Sequence, residues 1–150
     1  MNYTEAQQGR IFILRLEQND PLPKTIETFA ANKNIRAAMV YLLGGADQNS
    51  RLISGPTAEE DPHQPVGVHR VTLEDVHDML GVGTLFPDEN DSPILHLHAS
   101  CGHDTKSVTG CIREGIHVWV YMEVIVIELL HCHAHRHVDP KTGFTLLKVT

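Results

Sequence analysis

The chain has 150 residues, of which 41% are hydrophobic, and its formal net charge is −7 with histidine neutral. This length and composition predict one soluble globular domain over residues 1–150, large enough to bury a sizeable core. The excess of 19 acidic over 12 basic residues disfavours DNA as a partner, because a phosphate backbone would on average be repelled.

The first half of the chain predicts a strand, then a helix, then more strands. Arg10–Glu17 is rich in β-branched and aromatic residues, as is typical of a strand. Asp20 is the predicted helix cap, with Pro21 at the first helical position and helical spacing of apolar residues as far as Asn34. The next predicted elements are a strand at Ile35–Leu43 that ends at Gly44 and Gly45, a strand at Gln48–Ile53, and a polar loop from Gly55 to Gly67.

The second half predicts mainly strands. Val68–Leu73 and His77–Leu85 have strand character, although the segment between residues 73 and 80 also fits two helical turns. Ile116–Leu130 is a long, nearly continuous apolar strand, and a closing hairpin is predicted from His131–Val138 and Phe144–Val149. The expected fold is α+β: a β-rich mixed or antiparallel sheet with one main helix packed on it.

The expected location is the cytoplasm. The polar segment Met1–Arg10 shows no secretory signal, and three cysteines without a repeated CxxC spacing fit a reducing compartment. The longest apolar run, Val118–Leu130, is interrupted by Glu123 and Glu128 and is shorter than the roughly 20 residues that span a bilayer. We therefore expect no membrane partner.

The segment between Pro93 and Arg113 predicts a hairpin that carries chemistry. Its first strand alternates, with Leu95, Leu97, Ala99 and Cys101 on one face and His96, His98 and Ser100 on the other. A turn centred between Asp104 and Thr105 would place His98 opposite Cys111, and Leu97 opposite Ile112. A slip of one residue would mix the apolar and polar faces.

In that register His96, His98 and Cys111 can converge on one divalent metal ion. Directly opposed residues have Cβ atoms about 5 Å apart, and alternate residues of one strand lie about 7 Å apart. Zinc accepts two imidazoles and a thiolate, and three protein ligands leave a fourth position for water or a substrate. Iron or nickel could use the same nitrogens. The alternative is a polar strand face with two solvated histidines and a buried thiol.

Two further residues are candidates for the site. Glu123 lies in an apolar strand, where an unpaired carboxylate is costly, so we expect it to have a partner. That partner is an arginine such as Arg15 or Arg36, or else Glu123 acts as a general base beside the metal or orients a ligand histidine. His103 in the hairpin turn could carry protons at the mouth of the site, although a turn histidine is commonly just solvated.

Four histidines alternate near the C-terminus, at His131, His133, His135 and His137. On a strand their imidazoles would form one row, which could hold a second metal or titrate at a pH of about 6.5. The favoured interpretation is a solvated strand face.

These residues together resemble the plant-and-prokaryote-conserved (PPC) domain in its free-standing microbial form. The matching pieces are Gly9–Glu17, Ile35–Ala38, Gly44–Gly45, Gly81–Thr84, His96–Ala99, Thr109–Cys111 and Glu123–Val124. The resemblance implies an α+β fold that forms a homotrimer, and a metal site built from the HxH pair and a further histidine after two glycines. Here Cys111 takes the place of that histidine and Thr109 that of the first glycine, so the third ligand is Cys111 or another group such as His103.

The resemblance also bears on function. In plants the domain follows a DNA-binding AT-hook, but this chain has no Arg-Gly-Arg-Pro hook. A cupin is the rival fold, but cupins usually follow the HxH pair with a carboxylate where this chain has Cys101–His103. The leading prediction is a trimeric metal-binding domain whose open site binds a small molecule, with no reaction assigned. The alternatives are a DNA-binding or transcription-regulatory protein and a structural oligomerisation module.

Overall fold

A computed structural model of the chain describes residues 1–57 and 67–149. Most of the predicted polar loop between Gly55 and Gly67 lies outside these residues. The elements are, in chain order, β1 (Gln7–Glu17), β2 (Pro21–Leu22), α1 (Lys24–Asn32), β3 (Ala38–Ala46), β4 (Arg51–Pro56), β5 (Val68–Thr72), β6 (His77–Pro87), β7 (Pro93–His103), β8 (Lys106–Cys111), a 3₁₀ turn (Ile112–Glu114), β9 (Ile116–Leu130), β10 (Ala134–Val138) and β11 (Thr145–Val149).

In the part of the chain that the structure describes, nine strands form one sheet in the order β1-β9-β3-β6-β7-β8-β4-β5, with β2 pairing with β9. All of these pairings are antiparallel. The last two strands, β10 and β11, pair with each other as a separate hairpin. Helix α1 buries Ile26 and Ala30 in the core of the large sheet. The predicted α+β fold is confirmed, and its sheet is antiparallel. No helix among the described residues is long and apolar enough to cross a membrane.

The helix begins later than predicted. Pro21 and Leu22 form β2, and the helix starts at Lys24 with Pro23 at its N-cap position. The carboxylate of Asp20 does not cap it, because one of its oxygens accepts the backbone N–H of Glu17 at 2.9 Å. An Asp-Pro pair fits a strand edge as well as a helix start, so this local signal was wrong about the position of the helix.

The second predicted strand is also displaced, because β3 continues through Gly44 and Gly45 to Ala46. The two glycines do not end the strand; they let β9 approach it closely at a bulge. A Cβ atom on Gly44 would lie 2.6 Å from the Cα atom of Met122. β4 likewise starts at Arg51 and includes Gly55 and Pro56.

One ion pair, between a buried carboxylate and a half-exposed arginine, ties β1 to β9. Glu128 is 6% exposed, and its two carboxylate oxygens accept the Nε–H and Nη2–H groups of Arg10 at 2.7 Å each. The Arg10 guanidinium, as a hydrogen-bond donor, lowers the pKa of Glu128. A bidentate contact of this kind is geometrically specific, so it fixes how the first strand lies on the sheet beside its bulge between Gln8 and Ile11.

The approach of β8 to β4 yields a stability prediction. A Cβ atom on Gly110 would lie 2.4 Å from the carbonyl oxygen of Ile53, which cannot move without parting the two strands. We expect Gly110→Ala to lower the free energy of unfolding by about 1–3 kcal/mol in urea denaturation. The matched control is Gly102→Ala on the neighbouring strand, whose nearest contacts are at 4.0 Å. It should stay within about 0.5 kcal/mol of wild type; equal losses would contradict the interpretation.

Candidate metal centre

The predicted hairpin forms with the predicted register. His98 lies opposite Cys111 and His103 opposite Lys106, so the turn is centred between residues 104 and 105. Leu97 and Cys101 point into the core and are at most 1% exposed, whereas His96 is half-buried and His98 exposed on the other face. The separation of an apolar face from a ligand face is confirmed.

The return strand ends earlier than predicted. β8 stops at Cys111, and Ile112–Glu114 form a single 3₁₀ turn. The turn closes at Gly115, whose φ of 110° lies in the left-handed region that favours glycine. Leu97 is therefore not paired with Ile112, although Ile112 enters the core from the turn and is 1% exposed.

The three predicted ligands come together. One side-chain donor atom from each of His96, His98 and Cys111 lies within 4.8 Å of the other two. The two Nε2 atoms are 3.1 Å apart. This is close to the separation of about 3.3 Å that two nitrogens have in a tetrahedral zinc site, where each Zn–N bond is about 2.0–2.1 Å. The donor set and its spacing fit a metal ion with nitrogen and sulfur ligands.

The electrostatics of the site keep His96 neutral. Burial lowers the pKa of His96 to about 4, and the positive charges of Arg136, His98 and Arg113 add to this effect. At neutral pH the imidazole is therefore in the form that binds metals. A hydrogen bond between the two Nε2 atoms requires a hydrogen on one of them, and that nitrogen would have to lose it before both could bind one ion.

A cavity of about 220 Å³ opens onto the three side chains. Its walls come from β4, β5, the 3₁₀ turn and the C-terminal hairpin. The lining residues besides the ligands are Ile53, Gly55, Pro56, Val68, Arg113, Phe144, Thr145 and Leu146. Pockets for drug-sized ligands usually measure about 300–1,000 Å³, so this one suits a smaller molecule.

Arg136 anchors the C-terminal hairpin beside the site. It is 3% exposed, and its Nη2 atom donates to the hydroxyl and carbonyl oxygens of Thr84 at 2.8 and 3.2 Å. Thr84 is the cross-strand partner of His96. The guanidinium also lies over the ring of Phe86, with its carbon 5.4 Å from the ring centroid. The buried guanidinium of Arg136 thus holds β10 next to His96, one of the candidate ligands.

Sequence analysis missed Arg113, Arg136 and the apolar wall of the hairpin. Arg136 alternates with the histidines and is the residue of β10 that points inward, whereas His135 and His137 are only half-buried. The only local signal of this inward position was a single arginine that alternates with histidines on a predicted strand. The contact of this strand with β6 is long-range and leaves no local pattern.

Glu123 lies on the same sheet face as His98 but away from it. Cross-strand partners lead from Glu123 through Leu43 and Leu80 to Ser100 on β7. Three strand spacings of about 4.8 Å separate it from the ligand strand by roughly 14 Å. The structure does not bring Glu123 to the three ligands, and its role as a general base stays a prediction.

Glu123 is not in apolar surroundings that would make an unpaired carboxylate costly, because its side chain is exposed on β9. Arg15 lies directly opposite Glu123 on β1, but neither arginine considered as a partner forms an ion pair with it in the described residues. Arg15 lies 3.2 Å from Glu17, and Arg36 lies 2.8 Å from Asp91. The buried carboxylate on β9 is that of Glu128.

His103 is the last residue of β7, five residues beyond His98, and strand alternation places it on the face opposite the three candidate ligands. Its Nδ1 atom lies 2.8 Å from the carbonyl oxygen of Val76, and its ring centroid lies 5.2 Å from that of His77. Five residues of strand, about 3.3 Å each, separate it from His98. His103 therefore belongs to a different part of the surface, and Cys111 completes the group of three.

The four C-terminal histidines do not form one row. His131 and His133 precede β10, and His131 has a φ of 58°, so only His135 and His137 lie on the strand. His137 contacts the carboxylate of Glu89 at 2.9 Å. Across residues 1–57 and 67–149, the group of His96, His98 and Cys111 is the only cluster of three or more such side chains suited to an ion.

Comparisons with known proteins agree with this architecture. The family model of the Plants and Prokaryotes Conserved (PCC) domain matches residues 3–130. A search of curated proteins returned no match.

Several solved structures share the fold. A plant- and prokaryote-conserved protein from Pyrococcus horikoshii has a TM-score of 0.83 at 18% identity, covering 100% of this chain and 99% of its own. A metal-containing protein from Archaeoglobus fulgidus has a TM-score of 0.81 at 22% identity, covering 99% of each chain. A protein from Ralstonia eutropha JMP134, provisionally assigned as DNA-binding, has a TM-score of 0.71 at 19% identity, covering 92% of this chain and 90% of its own. At these identities the likeness concerns the fold.

Proposed function

We propose that this chain, which belongs to the Plants and Prokaryotes Conserved (PCC) domain family, holds a divalent metal ion between His96, His98 and Cys111 and binds a small molecule beside it. The observation that carries the proposal is the 3.1 Å approach of two imidazole nitrogens at a cavity that also reaches the thiol. Three protein ligands leave a fourth position on a tetrahedral ion, and the cavity gives a ligand access to it.

Zinc is the ion that this donor set favours. A thiolate with two imidazoles is typical of zinc, whereas magnesium and calcium prefer oxygen ligands. The metal-containing relative from Archaeoglobus fulgidus supports metal binding on this fold. When bound, zinc lowers the pKa of its water towards about 7 and polarises carbonyl or phosphoryl oxygens. His96 would bind as the neutral imidazole, and we assign no reaction to the site.

Metal stoichiometry tests the ligand set. Untagged protein, dialysed against a weak chelator to strip adventitious ions from its 11 histidines, should retain about one zinc per chain. His98→Ala and Cys111→Ser should each remove most of it, because two remaining ligands bind zinc weakly. His131→Ala changes an exposed histidine outside the group and should retain the zinc. Zinc that survives both ligand substitutions would contradict the proposed site.

We further infer that the exposed face of the large sheet joins copies of the chain into a homotrimer. Cross-strand partners Ile13, Ile125, Tyr41 and Val82 form one row that ends at His98, and these four side chains are 41–82% exposed. Leu43 and Leu80 extend the patch at 57% and 61% exposed. A contiguous apolar patch of this kind marks an interaction surface, and the PPC resemblance supports three copies.

Light scattering after size exclusion tests the assembly. Wild type should have three times the chain mass of 16.7 kDa. Leu80→Asp should yield folded monomers, because a charge in an apolar interface is strongly unfavourable. Leu147→Asp changes a 45% exposed leucine on the C-terminal hairpin and should remain trimeric. A monomeric wild type would contradict the inference. A trimer unaffected by zinc removal, with no zinc-dependent ligand, would favour the structural oligomerisation module.

DNA binding is the alternative function, and the provisional assignments of relatives are what favours it. The net charge of −7 opposes it, because a phosphate backbone would be repelled. At about 10 µM protein, where non-specific DNA binders already associate, we expect no change in the fluorescence anisotropy of a labelled duplex at low salt. Binding that weakens steeply with added salt would establish the alternative.

We place the protein in the cytoplasm and treat residues 1–150 as one domain. The thiols of Cys101, Cys111 and Cys132 are all free, which suits a reducing compartment. Burial raises the pKa of the Cys101 thiol to about 11, so this cysteine is an inert core residue. Cys111 is thus the thiol that lines the metal cavity.

A further inference from the structure

The described walls of the cavity beside the proposed metal ligands carry positive charge, although the chain has a net charge of −7. Arg113 lines the cavity, and Arg136 lies behind His96 through its contact with Thr84. In residues 1–57 and 67–149 no aspartate or glutamate lines the cavity or joins the ligand group. A divalent ion held by a single thiolate would make the centre more positive still.

Neither arginine has a carboxylate partner among the described residues. The glutamate next to Arg113, Glu114, pairs instead with Arg70 at 2.9 Å. Arg136 is 3% exposed and its Nε atom has no hydrogen-bond partner in the described part of the chain. A buried cation without a compensating charge favours a nearby anion, which applies to Arg136, whereas the exposed guanidinium of Arg113 is the one that lines the cavity.

Apart from Thr145, the other side chains that line the cavity in the described residues are apolar. Side chains of Ile53, Val68, Phe144 and Leu146 form its walls, with Pro56 at the side of β4. These groups cannot hydrogen-bond to a ligand, so they suit a hydrocarbon portion. At about 220 Å³ the space suits a molecule smaller than a drug-sized ligand.

The geometry points to a small organic carboxylate with an apolar body as the ligand of this cavity. Its carboxylate lies between the metal and the guanidinium of Arg113, and its hydrocarbon part packs against the wall formed by β4, β5 and the C-terminal hairpin. A carboxylate has two oxygens, which the open metal position and one planar guanidinium can both engage. This inference rests on the proposed metal site and adds the chemical class of its ligand.

Calorimetry on the zinc-loaded protein tests it with three probes: phenylacetate, 2-phenylethanol and acetate. Phenylacetate should bind once per chain and at least tenfold more tightly than the other two, since one lacks the charge and the other the apolar body. Arg113→Gln should weaken phenylacetate binding at least tenfold while keeping one zinc per chain. The matched control Arg36→Gln removes an exposed arginine that pairs with Asp91 away from the cavity, and it should bind like wild type.

The outcomes separate this inference from the metal proposal. One zinc per chain with no preference for phenylacetate over 2-phenylethanol overturns the carboxylate inference alone. Equal binding of phenylacetate by the Arg113→Gln and Arg36→Gln variants would also overturn the carboxylate inference. A wild-type protein that fails to retain zinc overturns the metal proposal, and this inference with it.

Discussion

The pairing of β7 with β8 is the constraint on which both the core and the candidate metal group depend. Because side chains alternate along a strand, the register that buries Leu97 and Cys101 also places His98 opposite Cys111. A slip of one residue would expose the apolar side chains, each worth about 1.5–3 kcal/mol when buried, and would turn the histidines inward. The packing of the hydrophobic core therefore sets the positions of the proposed ligands on the opposite face.

The wall that covers the candidate ligands depends on tertiary packing. The C-terminal hairpin brings an apolar wall over the ligand face, and buried Arg136 ties that hairpin to Thr84, the cross-strand neighbour of His96. The same guanidinium helps to keep His96 unprotonated, so one contact both covers the site and prepares a ligand. Ligand geometry comes from the sheet, whereas the charge and shape of the cavity come from the segment that covers it.

Local pattern predicted the parts that a short stretch of chain decides. The β7–β8 register, the bounds of β9 at Ile116–Leu130 and the core position of Cys101 all follow from alternation and turn chemistry. The exposed position of Glu123 did not follow from the local pattern, because an almost uniformly apolar strand does not reveal which of its faces is buried. Arg136 was missed for a related reason: its burial comes from a strand 52 residues away in sequence. Contacts of this range leave no periodic signal in the chain.

The absorption spectrum of the cobalt(II)-loaded protein tests the central claim most directly, because cobalt reports both the geometry and the ligands of a zinc site. The account predicts the intense visible bands of a tetrahedral ion together with a near-ultraviolet thiolate-to-cobalt charge-transfer band. Cys111→Ser should abolish the charge-transfer band, whereas Cys132→Ser, at a half-buried cysteine outside the ligand group, should retain it. A weak octahedral spectrum, or a charge-transfer band that survives Cys111→Ser, would contradict a metal centre built from His96, His98 and Cys111.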